Sequence, residues 1–231
     1  MRSFPFSFGP DYPAVLNDVD GTPMPLVLEL PWSRTYQHPR TKTYIWIPRL
    51  VDGSATISLN KLEREWSDWS PKERRDLCLG MDWVTERSDF QEMIRFVMRQ
   101  SDPGAWVAIA GAVAASLPQD EAFSLLQHSL GIVEPMFSSN IVAALVRTGH
   151  PSVRDLLVDH VRRVMKSLDI GPDATVWDPD TAAAILCIEY ALKAGTSSDQ
   201  FGDDARLLAS HANPEIREFF GIHLGDSYPL P

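Results

Sequence analysis

The spacing of apolar residues changes once along the chain, near residue 70, and that change limits what it can fold into. Before it, short runs alternate apolar with polar residues, as in "LVLEL" (26–30), "TYIWIPRL" (43–50) and "ATISL" (55–59), and are broken by Pro and Gly. A period of two is the pattern of a half-buried strand. After residue 70, apolar residues return every three or four positions. The periodicity predicts helices near 71–86, 89–99, 103–116, 119–129, 138–148, 151–168, 179–194, 202–211 and 214–224. No strand pattern alternates with them, so a parallel sheet is not expected. The expected fold class is α+β, mostly α: a small β-rich module in residues 1–69 holding an antiparallel sheet, then a helical domain in 70–231.

Local signals support these starts. In "SPKE", Ser70 stands as N-cap, Pro71 at the first helical position and Glu73 at the third, a capping box. The best-formed stripe is Val153, Leu156, Leu157, His160, Val161, Val164 and Leu168, one face of a helix. That segment recurs. "ALVRTGHPSVRDLLVDHV" (144–161) aligns without gaps on "LLASHANPEIREFFGIHL" (207–224), and Leu145, Pro151, Arg154 and His160 match Leu208, Pro214, Arg217 and His223. A fainter copy, "MRQSDPGAWVAIAGAV" (98–113), has Pro103 in the proline position. Helix, turn, proline and a second amphipathic helix form the unit of a helical solenoid.

With "GHPSVRDLL" and "NPEIREFF" the chain resembles the HEAT-repeat family over roughly residues 70–226. The stretch "WDPDTAAAILCIEYALKAG" (177–195) is similar to a helix of uncharacterised bacterial HEAT-like proteins. The resemblance implies a right-handed α-solenoid and, for function, protein binding more than catalysis. Pro151, Arg154, His160, Pro214, Arg217 and His223 are then structural repeat positions. The two histidines are expected as satisfied core residues, and the two arginines are expected to pair with acids of the neighbouring unit.

Charge narrows the partners. Lys and Arg number 21 against 31 Asp and Glu, a net charge of −10. A main nucleic-acid partner is therefore not expected, since phosphate binding needs a basic surface. Residues 1–69 hold 7 basic against 8 acidic residues and 70–231 hold 14 against 23, so the acidity lies in the second part. From Asp169 to Asp204 there are eight acids and one cation, Lys193. Such a field steers a basic protein partner. Asp173, Asp178, Asp180, Asp199, Asp203 and Asp204 are the candidate contacts, joined by Trp32 and Tyr36 from the aromatic, basic stretch 31–51. Asp178, before Pro179, also reads as a helix N-cap.

The opening stretch "LNDVDGT" (16–22) carries the Asp-x-Asp-Gly-Thr signature of haloacid dehalogenase-like phosphatases. That resemblance implies a Mg²⁺-dependent phosphohydrolase with Asp18 as nucleophile and Asp20 as acid/base, at the end of a buried parallel strand. The preferred reading is a turn. "VDGT" (19–22) has a twin in "VDGS" (51–54), and Asp-Gly suits a type I′ hairpin turn. Two such hairpins predict strands near 13–18, 24–30, 43–50 and 55–60. No catalytic or metal-binding set is recognised, and neither a metal nor a cofactor is expected. Cys78 and Cys187 sit in apolar helical patterns as small buried hydrophobes of a reducing compartment. No signal peptide or membrane span is read, so the expected setting is cytoplasmic. No feature sets an oligomeric state. The expected function is non-enzymatic: binding of a protein partner with a basic surface, as an immunity-type inhibitor, or alternatively as a scaffold or adaptor subunit.

Overall fold

The computed structural model describes residues 15–17, 22–30, 33–40, 44–48, 59–81, 90–167, 170–176 and 178–228. Four strands, β1 (Val15–Asn17), β2 (Pro23–Leu30), β3 (Ser33–Gln37) and β4 (Tyr44–Pro48), form an antiparallel sheet in the order β1-β2-β3-β4. The helices among the described residues are α1 (Leu59–Glu65), α2 (Pro71–Met81), α3 (Phe90–Met98), α4 (Pro103–Ser116), α5 (Gln119–Ile132), α6 (Ser139–Thr148), α7 (Val153–Ser167), α8 (Pro179–Lys193), α9 (Gly202–Ala209) and α10 (Pro214–Leu224). Short 3₁₀ turns lie at Trp66–Asp68, Pro135–Phe137 and Ser198–Phe201. The protein is α+β and mostly helical.

The chain divides into two compact units, Met1–Ala112 and Val113–Pro231. The division falls beyond the expected boundary at 69/70 because the first helices belong with the sheet: α2 packs on β4 and α1 on α3. Met24, Tyr36, Leu62, Trp66, Leu77, Phe90 and Ile94 are buried in this unit. The capping box at α2 is formed. Ser70 N donates to Glu73 Oε2 at 2.8 Å and Glu73 N donates to Ser70 Oγ at 3.3 Å. Asp102 caps α4, accepting from Ala105 N at 3.1 Å, while its other oxygen meets Arg74 of α2 at 3.0 Å.

The strand expectations need correction. The first turn does join antiparallel neighbours, with Asn17 opposite Pro23; Asp18 and Asp20 themselves lie outside the described residues. β3, "SRTYQ", went unread, because one aromatic among polar residues gives no period-two signal. It follows β2 closely, with Leu30 opposite Ser33, and the register shifts between Leu26 and Leu28, leaving Val27 as the extra residue of a bulge. The strand expected at 55–60 is contradicted at its end, where Leu59 and Asn60 open α1. The rest of that strand and the second Asp-Gly turn lie outside the described residues.

In the second unit α6 packs on α5 and α8, α7 on α8, and α10 on α8 and α9. Val142, Leu145, Leu157, Val161, Ile185, Ile188, Phe201, Leu208, Ile216 and Phe220 are buried there. The sequence repeat is visible in the backbone bonds of its two turns. Between α6 and α7, His150 N donates to Thr148 Oγ1 and Ser152 N to His150 Nδ1, each at 3.2 Å. Between α9 and α10, Asn213 N donates to His211 Nδ1 at 3.1 Å and Glu215 N to Asn213 Oδ1 at 2.9 Å. The residues pair by position in the alignment, so different side chains make the same cap. Gly149 ends α6 with φ of 63°, the left-handed conformation glycine adopts freely. The helix after "GHPS" starts at Val153, two residues later than expected, because Pro151 and Ser152 belong to the turn.

Candidate functional site

The acidic stretch before α8 is folded into a cleft. Gly171, Pro172, Asp173, Ala174, Asp178, Asp180 and Thr181 line a cavity of about 360 Å³. Its loop closes on itself: Ala174 N donates to Gly171 O at 3.0 Å, and Thr175 N donates to Asp178 Oδ2 at 2.6 Å. Asp178 occupies the N-cap position of α8, but its carboxylate makes no cap bond to the helix. That corrects the expected cap: the side chain holds the loop instead. Its charge still lies at the positive end of the helix dipole, as does that of Asp180 in the first turn.

The second repeat turn clamps the loop from outside. His211 Nδ1 accepts from Asn213 N, so Nε2 carries the proton and donates to Gly171 O at 3.0 Å. Asn213 Nδ2 donates to Ala174 O at 3.0 Å, while its Oδ1 caps α10. One asparagine thus fixes both the helix start and the cleft wall. Asn213→Ala is expected to lower the unfolding free energy by about 2 kcal/mol, since a cap and a partly buried hydrogen bond go together. Urea denaturation of the two proteins checks this; a loss below about 0.5 kcal/mol would show that the clamp contributes little.

The other candidate contacts lie elsewhere. Asp199 sits in the 3₁₀ turn before α9, and Asp203 and Asp204 in its first turn. Asp203 pairs with Arg206 at 3.0 Å. Burial raises the Asp204 carboxyl above its ordinary range, as does neighbouring Asp203, against the charge of Arg162. Tyr228 donates to Ser198 O at 2.7 Å, and burial with the charges of Asp199 and Asp204 pushes its phenol up to about 12. Asp199 and Asp204 therefore share one neighbourhood near Tyr228. Tyr36 is fully buried, so the expectation of it as a partner contact is corrected: alternation put its ring on the covered face of β3. Trp32 lies outside the described residues.

The repeat histidines do different work at one position. His160, on α7, is buried. Arg163 Nη2 donates to His160 Nδ1 at 2.9 Å and also to Leu130 O at 3.0 Å. With Nδ1 accepting, the ring proton resides on Nε2, which donates to Ser138 Oγ at 2.9 Å. Ser138 in turn donates to Pro135 O at 2.6 Å. Burial and the charge of Arg163 lower the His160 pKa from 6.5 to about 4. The serine hydroxyl points at a carbonyl and the imidazole offers it a proton, the reverse of what a general base needs. Cys187 lies 3.7 Å from Ser138 Oγ, and burial pushes its thiol up to about 11, so it is no nucleophile.

His223, on α10, donates from Nδ1 to Glu189 Oε2 at 2.7 Å, and Lys193 reaches the other oxygen at 2.7 Å. Burial alone would raise the Glu189 carboxyl, but the hydrogen bonds and charges of His223 and Lys193 hold it below its ordinary value. The expectation of a fully satisfied histidine fits His160 and is corrected at His223, whose buried Nε2 meets no partner among the described residues. The arginines are corrected too. Arg217 donates to the carbonyls of His211 and Ala212 at 2.6 and 2.9 Å, binding the preceding turn, and Arg154 is exposed. Neither forms an ion pair with an acid among the described residues. Ser138, Arg163, Glu189 and Asn213 were not singled out in the sequence, because each acts through a partner more than twenty residues away or, for Arg163, through a histidine already assigned to the core.

β1, which leads to Asp18, lies at one end of the strand order and pairs antiparallel, unlike the buried parallel strand of the phosphatase arrangement. Among the described residues no group of three or more His, Cys, Asp or Glu could hold a metal ion, and no helix is long and apolar enough to cross a membrane. Comparison of the chain with protein-family models, curated proteins and solved structures finds no match.

Proposed function

We propose that this chain is a non-enzymatic protein-binding molecule whose helices form a right-handed HEAT-like solenoid, and that it neutralises or recruits a partner with a basic surface, in the manner of an immunity-type inhibitor. The observation that carries the reading is the cleft at the start of α8, where Asp173, Asp178 and Asp180 are gathered on a loop clamped by His211 and Asn213. An acidic recess whose loop is held by hydrogen bonds from His211 and Asn213 favours a lysine or arginine side chain, because less of it has to be ordered on binding. The excess of acid in residues 70–231 supplies a longer-range attraction.

The test is affinity capture from lysate of the source organism, washed at low and then high salt, with the Asp173→Asn, Asp178→Asn, Asp180→Asn triple variant run in parallel. One basic protein in equimolar amount, bound by the parent and lost from the variant or at high salt, is the expected result. Equal recovery by both proteins would sink the role given to the cleft.

A further inference from the structure

Thr181, in the first turn of α8, is fully buried, and its hydroxyl meets no hydrogen-bond partner among the described residues. Such a group is costly, because it has lost water and gained nothing in its place. Elsewhere in this unit the hydroxyls of Ser129, Thr148 and Ser210 each donate to a carbonyl about one turn back, at 3.0, 2.7 and 2.7 Å. Thr181 lacks that outlet, since no turn of helix precedes it.

Thr181 also lines the acidic cleft, so the orphaned hydroxyl and the carboxylates of Asp173, Asp178 and Asp180 border one space. None of the three carboxylates forms an ion pair among the described residues. Asp178 has already committed Oδ2 to Thr175 N. Among the described residues no group of three or more His, Cys, Asp or Glu could hold a metal ion, so the cleft does not fit a chelated metal. Nor does it favour arginine, whose flat fork is best met by both oxygens of one carboxylate, which Asp178 cannot offer. A lysine-type ammonium is a compact charge with three donors, and it suits single acceptors on separate residues, a hydroxyl oxygen included.

We infer that the cleft at the start of α8 is a seat for a primary ammonium group on an alkyl chain, with the Thr181 hydroxyl accepting one N–H and the carboxylates balancing the charge. The group is supplied by a lysine of a protein partner or by a free diamine. The inference rests on the reading of the cleft as a site for basic groups and adds which basic group it takes.

The probes are N-acetyl-lysine methylamide, its arginine counterpart and 1,5-diaminopentane, each titrated into the full chain at low salt and followed by amide NMR shifts. The lysine probe should shift amides of residues 171–181 and bind at least about fivefold tighter than the arginine probe. Thr181→Val removes the hydroxyl at nearly constant shape. It should weaken the lysine probe about fivefold while leaving the urea midpoint unchanged or higher, because an unpartnered buried hydroxyl is lost. Thr181→Ser keeps the hydroxyl and should bind within about twofold of the parent. Diamine binding more than about tenfold tighter than the lysine probe would support the ammonium seat with a free diamine as its source, and comparable or weaker diamine binding would support it with a partner's lysine. Equal binding of the lysine and arginine probes, or full binding by Thr181→Val, would overturn the ammonium seat. The cleft reading would then stand if the Asp173/Asp178/Asp180 triple variant lost both probes. A lowered urea midpoint in Thr181→Val would assign the hydroxyl to the fold and also overturn the seat. No shift with any probe would overturn both the seat and the cleft reading.

Discussion

Between pH 7 and pH 5 the protein is expected to lose about 2 kcal/mol of stability, and His160→Gln is expected to remove most of that slope. The imidazole of His160 is neutral in the folded chain because Nδ1 accepts from Arg163 while Nε2–H donates to Ser138. A proton on Nδ1 would have to displace the arginine from the buried imidazole. Unfolding frees the ring to titrate at its ordinary 6.5, against about 4 when folded. Over that interval the unfolded chain binds more protons, so stability is fully present above about pH 6.5 and is lost as pH falls toward 4. Glu189 contributes in a lower window. Its carboxyl is held below the ordinary glutamate range, so its contribution is lost only as pH drops through that lowered value. Urea midpoints at pH 7, 6, 5 and 4.5 follow the His160 window and stop above that of Glu189. Glutamine can donate to Ser138 and accept from Arg163 without a proton to gain, so the variant should be flatter with pH even if it is weaker at pH 7. A slope equal to that of the parent would place the titration elsewhere.

The sequence carried the helices further than the strands, because helix signals are local and strand pairing is not. α4 and α8 to α10 lie within about two residues of expectation, since proline starts and a 3.6-residue period are local signals. Strand β3 and the bulge at Val27 depend on which neighbour pairs with which, and no local period reports that. The acidic cleft was half legible. Asp173, Asp178 and Asp180 stood out as a charge run, but the bonds that shape it come from His211 and Asn213, about forty residues on. The repeat alignment held that information in disguised form. Thr148 matches His211 and His150 matches Asn213, pairs without chemical similarity that make the same two cap bonds. Function at the repeat histidines diverged the same way, with one position serving a neutral relay in His160 and a carboxylate contact in His223.

Phe220→Ala should cost about 4 kcal/mol, the largest loss expected from a single side chain in the second unit. Phe220 is fully buried on α10, in the repeat position of fully buried Leu157 on α7. Its ring lies 6.2 Å from that of Tyr228, whose hydroxyl ties the following turn to Ser198 O. Removing a buried phenyl loses its transfer free energy and leaves a cavity that helices held by caps at both turns do not close. Where the loss is felt tests the architecture. In a stack of repeats each unit is supported by its neighbours alone, so a lesion in the last unit should open that unit before the others. Hydrogen exchange of the variant is therefore expected to lose protection in α9 and α10 while α6 and α7 keep theirs. A uniform loss across α5 to α10 would mean that the second unit unfolds as one block. The repeat would then survive as a sequence pattern and a pair of matched turns, without the independence that a solenoid gives its units.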